Sequence, residues 1–184
     1  MKKIIFGILA IFVFIFGLCT VNKSFAYPVT GPHWAKSSIN VYIPNDVKAT
    51  SMKHAFQKWQ NSSYGKLKFN FVQKGPADID VVFVEKVSGV DGPIGEYKIT
   101  IKNGFINKAE IKIATKNKNN YSNNLVYTTM LHEIGHALGL PDYERKRTSI
   151  MHMPINESQD ILKLDIMNLY KLNNWTWMDR NLSH

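Results

Sequence analysis

Apolar and polar residues alternate along several short stretches of this 184-residue chain, and this pattern is typical of strands that bury one face. It predicts strands over Ser38–Ile43, Leu67–Val72, Ile79–Val84, Tyr97–Ile101 and Ala109–Ala114. The stretch at residues 79–84 is a more continuous apolar run, as expected for a strand inside a sheet. Asn103-Gly104 between the last two strands favours a tight reversal.

Three other segments follow the period of about 3.6 residues that is typical of helices. They lie around Met52–Trp59, where Gly65 closes the helix, around Met130–Leu138, and over roughly Ser158–Leu172. The order of elements predicts an α/β or α+β domain with one twisted sheet and helices packed on it. No internal repeat or change of composition interrupts residues 27–184, so a single domain is expected there.

The first 26 residues differ in composition from the rest of the chain. Lys2 and Lys3 precede an uncharged apolar run from Ile4 to Leu18, and small residues stand at Ser24 and Ala26. These features are typical of a secretory signal peptide, with cleavage after residue 26. An uncleaved membrane anchor is the alternative, because the apolar run can be extended to residue 21. In either case the rest of the chain is expected outside the cytoplasmic membrane.

Charge and cysteine content narrow the classes of function. Cys19 is the only cysteine and lies in the leader, so neither a disulfide nor a cysteine-based metal site is expected in the mature protein. Removal of the leader lowers the formal net charge from +9 to about +6, because the leader holds three lysines and no acid. This charge would permit association with an anionic cell wall or membrane surface, although a solvated basic surface is simpler. Basic and aromatic residues are not interleaved in the way that is typical of nucleic-acid binding, so no nucleic-acid partner is expected. The protein is expected to be a monomer.

The segment LHEIGHALGLPDYERKRTSIM, residues 131–151, carries the candidate chemistry. On a helix, His132 and His136 lie one turn apart and can offer two imidazole nitrogens to one ion. Glu133 points to one side of this pair, where it can reach a metal-bound water as general base without being a ligand.

Two histidines do not hold zinc firmly, because catalytic zinc sites usually have three protein ligands. Gly139 can adopt the left-handed conformation that ends a helix, and Pro141 prevents the helix from continuing. The chain can then turn back and bring the Asp142 carboxylate to the ion. A surface helix with two solvated histidines is the alternative, but the combined pattern is too specific to favour it.

HEIGHALGLPD followed by SIM resembles the metzincin zinc endopeptidases, and the matrixin-type catalytic domain in particular. Similar landmarks extend over nearly the whole mature chain: HW at 33–34, AFQKW at 55–59, ADIDVVF at 77–83, DGPIG at 91–95 and DIMNLYKL at 165–172. The resemblance implies a five-stranded twisted mixed sheet with three helices. It also implies a cleft in which substrate lies antiparallel to the strand at residues 97–101.

The resemblance further implies a role for each residue of the motif. His132, His136 and Asp142 would hold one catalytic zinc, Glu133 would be the general base, and Met151 would lie beneath the metal. A secreted zinc endopeptidase that acts on proteins or peptides is therefore expected. Alternatives from other classes are a non-catalytic wall- or protein-binding module on the same scaffold and a metal-scavenging protein.

The chain departs from the family pattern at several positions. Asp142 replaces the usual third histidine, and Met153 stands where astacins have a tyrosine. The second, structural zinc of matrixins is not expected, because no histidine lies between His54 and His132.

Three further expectations concern loops near the motif. Asp91 could help to bind calcium, as the matching family loop does, although a plain Asp-Gly-Pro turn is simpler. His152 is expected to be a partly exposed turn residue. Residues 153–155 would form either the wall of a substrate pocket or ordinary loop packing.

Overall fold

The first helix lies between the second and third strands, and two further helices follow the last strand. The computed structural model describes residues 30–87, 94–115, 121–144 and 146–176. The elements in this part of the chain are β1 (His33–Trp34), β2 (Ser38–Tyr42), α1 (Ala49–Ser62), β3 (Lys68–Val72), β4 (Ile79–Val84), β5 (Gly95–Lys102), β6 (Phe105–Ala114), α2 (Asn123–Ala137) and α3 (Lys163–Leu172).

The strands form one mixed sheet, as expected from the sequence. Strands β3, β2, β4 and β6 lie side by side and are parallel, and β5 pairs antiparallel with β6. The continuous apolar run of β4 lies between β2 and β6, which confirms its interior position. Asn103 and Gly104 have positive φ angles of 53° and 81° and form the predicted reversal between β5 and β6.

In the part of the chain that the structure describes, the sheet has six strands, so the expected count of five is wrong by one. The additional strand, β1, pairs parallel with Phe105 and Ile106 of β6. Two residues are too few to produce a recognisable alternation of apolar and polar positions, which is why the sequence pattern missed this strand. Trp34 of β1 also donates a hydrogen bond from Nε1 to the carbonyl of Ala137 at 2.8 Å, and this bond ties the start of the domain to the end of α2.

The last helix begins later than expected, at Lys163 and not at Ser158. Leu162 has an extended backbone, and its N–H donates to the Asp165 carboxylate at 2.7 Å, which caps the first turn of α3. Before this cap, Asp160 pairs with Ser149 in an isolated β-bridge. Apolar residues at 161 and 162 extended the helical pattern in the sequence, but their backbone belongs to the connection that precedes α3.

One face of the sheet is apolar and packs against α1 and α2 in a single core. The inward side chains of neighbouring strands are Ile39 and Val41, Ile79 and Val81, and Ala109, Ile111 and Ile113. On the opposite face, Lys108 pairs with Asp80 at 2.8 Å and Asn70 donates to Asn40 at 3.2 Å. Strand β5 pairs with β6 alone within the described residues, so it forms an edge of the sheet beside α2.

The expected leader, residues 1–26, lies outside the described residues and stays a prediction. Within the described residues, no helix has both the length and the apolar character that a membrane span requires.

The chain turns sharply at Gly139, after the end of α2, and substitution of this glycine tests how strongly the fold depends on the turn. Its φ is +98°, and a Cβ added there would lie 2.3 Å from the backbone oxygen of Pro32. Gly104 has a similar φ of +81° but open space around it, so Gly104→Ala isolates the conformational cost, about 1–2 kcal/mol. We expect Gly139→Ala to lower the free energy of unfolding by roughly twice as much or more, because the backbone must also move. Urea denaturation of both variants makes the comparison, and equal losses would contradict it.

Candidate metal centre

Helix α2 brings the two histidines of the motif onto one side, as the spacing predicts. The helix begins at its cap residue Ser122, whose hydroxyl accepts a hydrogen bond from the N–H of Leu125 at 3.0 Å. The Nε2 atoms of His132 and His136 lie 2.9 Å apart, and their rings meet edge to face. Both side chains are buried, although they point away from the apolar side of the helix.

Asp142 completes a group of three ligand atoms. After the turn at Gly139, its Oδ1 lies 3.3 Å from Nε2 of His132 and 3.2 Å from Nε2 of His136. In the described part of the chain, these residues form the one cluster of three or more metal-ligand side chains. The expected return of the chain toward the two rings is therefore present.

The second nitrogen of each ring is held by a backbone carbonyl. Nδ1 of His132 lies 2.7 Å from the carbonyl oxygen of Ile150, and Nδ1 of His136 lies 2.8 Å from that of Leu140. A carbonyl can only accept, so each neutral ring carries its proton on Nδ1 and presents a lone pair at Nε2. When both rings are neutral, two lone pairs and a carboxylate oxygen thus converge, and all three could bind one cation.

The separations within this group fit a zinc ion. Four ligands at zinc–nitrogen distances of 2.0–2.1 Å stand about 3.3 Å from one another in a tetrahedron. The three observed separations, 2.9, 3.2 and 3.3 Å, lie close to this value. Two imidazoles with one carboxylate are a typical donor set for catalytic zinc, which keeps its fourth position open. The residues present therefore fit the metal.

The electrostatics of the three groups favour a positive charge among them. When either imidazole takes up a proton at Nε2, it donates that proton to the Asp142 carboxylate, and these hydrogen bonds hold the pKa of Asp142 below its usual range. Burial lowers the pKa of His132, but hydrogen bonds to Asp142 and to the Ile150 carbonyl outweigh burial and raise the pKa above its ordinary value. The Asp142 carboxylate is therefore ionised over the whole physiological pH range, and an ionised carboxylate is suited to bind a cation.

Glu133 lies beside this group and is not part of it. It is buried, and a Cβ added to Gly95 of β5 would lie only 2.7 Å from Cγ of Glu133 and 2.9 Å from its Oε1. Strand β5 therefore covers Glu133 closely, which only glycine permits. Burial raises the pKa of the Glu133 carboxyl, whereas the neighbouring imidazoles act in the opposite direction. A carboxyl with a raised pKa is suited to taking up and returning a proton.

The SIM segment packs against α2, with the thioether of Met151 against Gly135. Its backbone is fixed by Asp165 of α3, which is fully buried. The hydroxyl of Ser149 donates to Asp165 at 2.5 Å and accepts from the N–H of Met151 at 3.0 Å. Asp165 therefore holds the turn whose Ile150 carbonyl orients His132.

A cavity of about 440 Å³ opens next to the candidate centre. Its lining includes Leu125, Thr129 and Glu133 of α2, together with Met153 and Ile155. Two of residues 153–155 are thus part of a pocket wall.

Comparison with known proteins agrees with this geometry. The family model of the matrixins matches residues 33–172. The chain belongs to the matrixin family. An interstitial collagenase from Oryctolagus cuniculus is 31% identical to this matrixin over 125 residues, which cover 59% of the chain and 26% of the collagenase. The chain thus spans about a quarter of that relative's length. Family membership confirms the resemblance and supports a zinc-dependent metalloprotease as the general class.

Sequence reasoning missed three residues that shape the site of this matrixin. Asp165 stood within an apolar stripe of the last helix, and a lone acid in such a stripe could have indicated a buried partner. Gly95 and Tyr97 gave no local indication of their contacts with α2.

His152 is partly exposed, as expected, and its Nδ1 lies 2.7 Å from the carbonyl oxygen of Tyr143. Asp91, the candidate calcium ligand, lies outside the described residues.

Gly95 offers a test of how strongly the position of Glu133 matters. Gly95→Ala would push a methyl group into Glu133 and Thr129, each 2.7 Å away, and displace the carboxylate. We expect peptidase turnover to fall by roughly tenfold or more, since small misplacements of a reacting group are costly. Zinc content should stay unchanged, because the three candidate ligands are not touched.

Gly31→Ala is the matched control, since its added methyl group meets only Leu172 Cδ1 at 4.0 Å. Metal analysis and initial rates on a peptide substrate make the measurement. Equal rates for both variants would mean that Glu133 tolerates the displacement.

Proposed function

We propose that this matrixin is a secreted zinc endopeptidase, with His132, His136 and Asp142 as the zinc ligands and Glu133 as general base. The observation that carries the proposal is the convergence of three candidate ligand atoms beside the buried carboxyl group of Glu133. Secretion rests on the predicted leader at residues 1–26.

The chemistry that bound zinc supplies is Lewis-acid polarisation of the scissile carbonyl and greater acidity of the attacking water. Glu133 accepts a proton from that water as its oxygen forms a bond to the carbonyl carbon. Glu133 then gives the proton to the amide nitrogen as the carbon–nitrogen bond breaks. The immediate products are a carboxylic acid, which keeps the second proton of the water, and an amine. Transfer of that proton between them gives a carboxylate and an ammonium group, and Glu133 is returned to its starting state.

The edge strand β5 is suited to orient an extended peptide. Its outer side has no strand partner among the described residues, so its backbone groups can pair with substrate. A peptide antiparallel to β5 places the residues after the scissile bond toward Gly95. The cavity lies at that end, and its apolar walls, Leu125 and Ile155, suit an apolar side chain there.

Replacement of Glu133 tests the catalytic role directly. We expect Glu133→Ala to lower kcat by at least about 100-fold, because proton transfer by a positioned group contributes roughly 10²–10⁴ to rates. Zinc content should not change. Glu110→Ala is the control, since Glu110 lies on β6 and pairs with Lys112. Casein or a peptide library, digested with and without a chelator, provides the measurement.

In the same experiment, chelator should abolish cleavage by the wild type, and added zinc should restore it. Equal turnover by Glu133→Ala and the wild type would remove Glu133 from the mechanism. A wild type that binds zinc but cleaves nothing would favour the alternative functions, a binding module or a metal scavenger.

Replacement of Asp142 tests the third ligand. Asp142→Ala should weaken zinc binding by at least about tenfold, because the remaining pair of imidazoles does not complete a three-ligand site. Asp142→His should retain zinc, since imidazole is an equally good ligand. Asp160→Ala is a matched control, because its side chain is 50% exposed and that of Asp142 is 53% exposed. Competition with a chromogenic chelator measures the affinity, and full affinity in Asp142→Ala would exclude Asp142 as a ligand.

A further inference from the structure

Tyr97 of the edge strand stacks on the imidazole of His136. The two ring centroids lie 4.1 Å apart, and the planes differ by 18°. Tyr97 lies two residues after Gly95, so both face the same side of β5, toward α2. Strand β5 therefore contacts the catalytic segment twice, at Glu133 through Gly95 and at His136 through Tyr97.

This contact is not explained by burial of an apolar side chain. Tyr97 is 39% exposed, whereas the core residues opposite it on β6, such as Ile111, are fully buried. The ring also forms part of the wall of the cavity that contains Glu133 and Asp142. Because Tyr97 is only partly buried, its stack on His136 is a specific contact beside the core and not a part of the core packing.

The imidazole of His136 is restrained at one edge by its hydrogen bond and on one face by Tyr97. The torsion that rotates an imidazole ring is broad, and the hydrogen bond from Nδ1 to the Leu140 carbonyl restrains it only within the wide angular range that a hydrogen bond tolerates. His132 meets the ring only at an edge, with an interplanar angle of 88°. The nearly parallel ring of Tyr97 restrains the remaining motion, since an aromatic stack of this kind has a defined geometry.

We propose that Tyr97 is a positioning residue, whose ring holds the imidazole of His136 in the orientation that zinc binding requires. The inference rests on the proposed zinc endopeptidase function. The stack lies on the strand that would pair with substrate, so it connects the peptide-binding edge with the metal centre. The aromatic ring carries this role, and the hydroxyl group is dispensable for it.

Zinc affinity of the full-length protein, measured by competition with a chromogenic chelator, tests the proposal. We expect Tyr97→Leu to weaken zinc binding by about tenfold, which is the lower end of the effect known for residues that support metal ligands. Tyr97→Phe keeps the ring and should bind zinc within about twofold of the wild type. Ile101→Ala is the matched control, because Ile101 is an exposed apolar residue of the same strand and no part of the stack with His136.

Cobalt substitution gives a second readout that a general loss of stability would not move. The visible spectrum of the cobalt-loaded protein should change in Tyr97→Leu and keep its wild-type form in Tyr97→Phe, since the ligand geometry depends on the ring. Should Tyr97→Leu fail to fold, Tyr97→Met replaces it, because methionine is long and flexible but lacks the ring.

The two proposals fail in different ways. If the wild type binds no zinc, or binds zinc and cleaves nothing, the proposed function is wrong. If the wild type is an active zinc enzyme and the leucine variant matches it in zinc affinity and cobalt spectrum, only the role of Tyr97 is overturned. A leucine variant with weakened affinity, beside a phenylalanine variant with normal affinity, supports the proposal.

Discussion

Two lone pairs and a carboxylate held within about 3.3 Å of one another are the constraint on which the rest of the site depends. When both rings are neutral, these electron-rich atoms repel one another unless a cation lies between them, so the surrounding chain helps to hold them together. The restraint comes from backbone carbonyls: Ile150 orients His132, and Leu140 orients His136. Because each carbonyl accepts the proton of Nδ1, the same bonds that fix the rings also direct their lone pairs toward the metal position.

Both carbonyls belong to turns, and each turn is anchored by a feature distant from it in sequence. The Ile150 turn depends on the buried Asp165 of α3, through the hydroxyl of Ser149. The Leu140 turn depends on Gly139, whose Cα lies close to the Pro32 carbonyl at the start of the domain. Helix α3 and the segment around Pro32 therefore support the candidate metal centre, although neither contributes a side chain to the cluster of His132, His136 and Asp142.

The sequence was sufficient to predict features that depend on residues close together in the chain. It was not sufficient to predict contacts between elements that are far apart in the chain. Spacing along one helix placed His132 and His136 together, and the glycine three residues later indicated the turn that brings in Asp142. Alternation of side chains located the principal strands, because their faces differ in burial. The contacts of Gly95, Tyr97 and Asp165 join elements far apart in sequence, and no periodicity encodes them. Strand β1 was missed because it has only two residues. The start of α3 was misplaced because the cap formed by the Asp165 side chain, and not the spacing of apolar residues, defines where this helix begins.

The three candidate ligand side chains differ in how firmly they are held, and this difference would affect how much each contributes to metal affinity. The two buried imidazoles are oriented in advance, so they lose little freedom when a cation binds. The side chain of Asp142 is 53% exposed and must lose rotamer freedom to contribute. The residue that follows it in the loop is held in place, since the N–H of Tyr143 donates to the Met151 carbonyl at 2.6 Å and Nδ1 of His152 lies 2.7 Å from the Tyr143 carbonyl. Changes in this loop should therefore alter affinity more gradually than changes at either histidine.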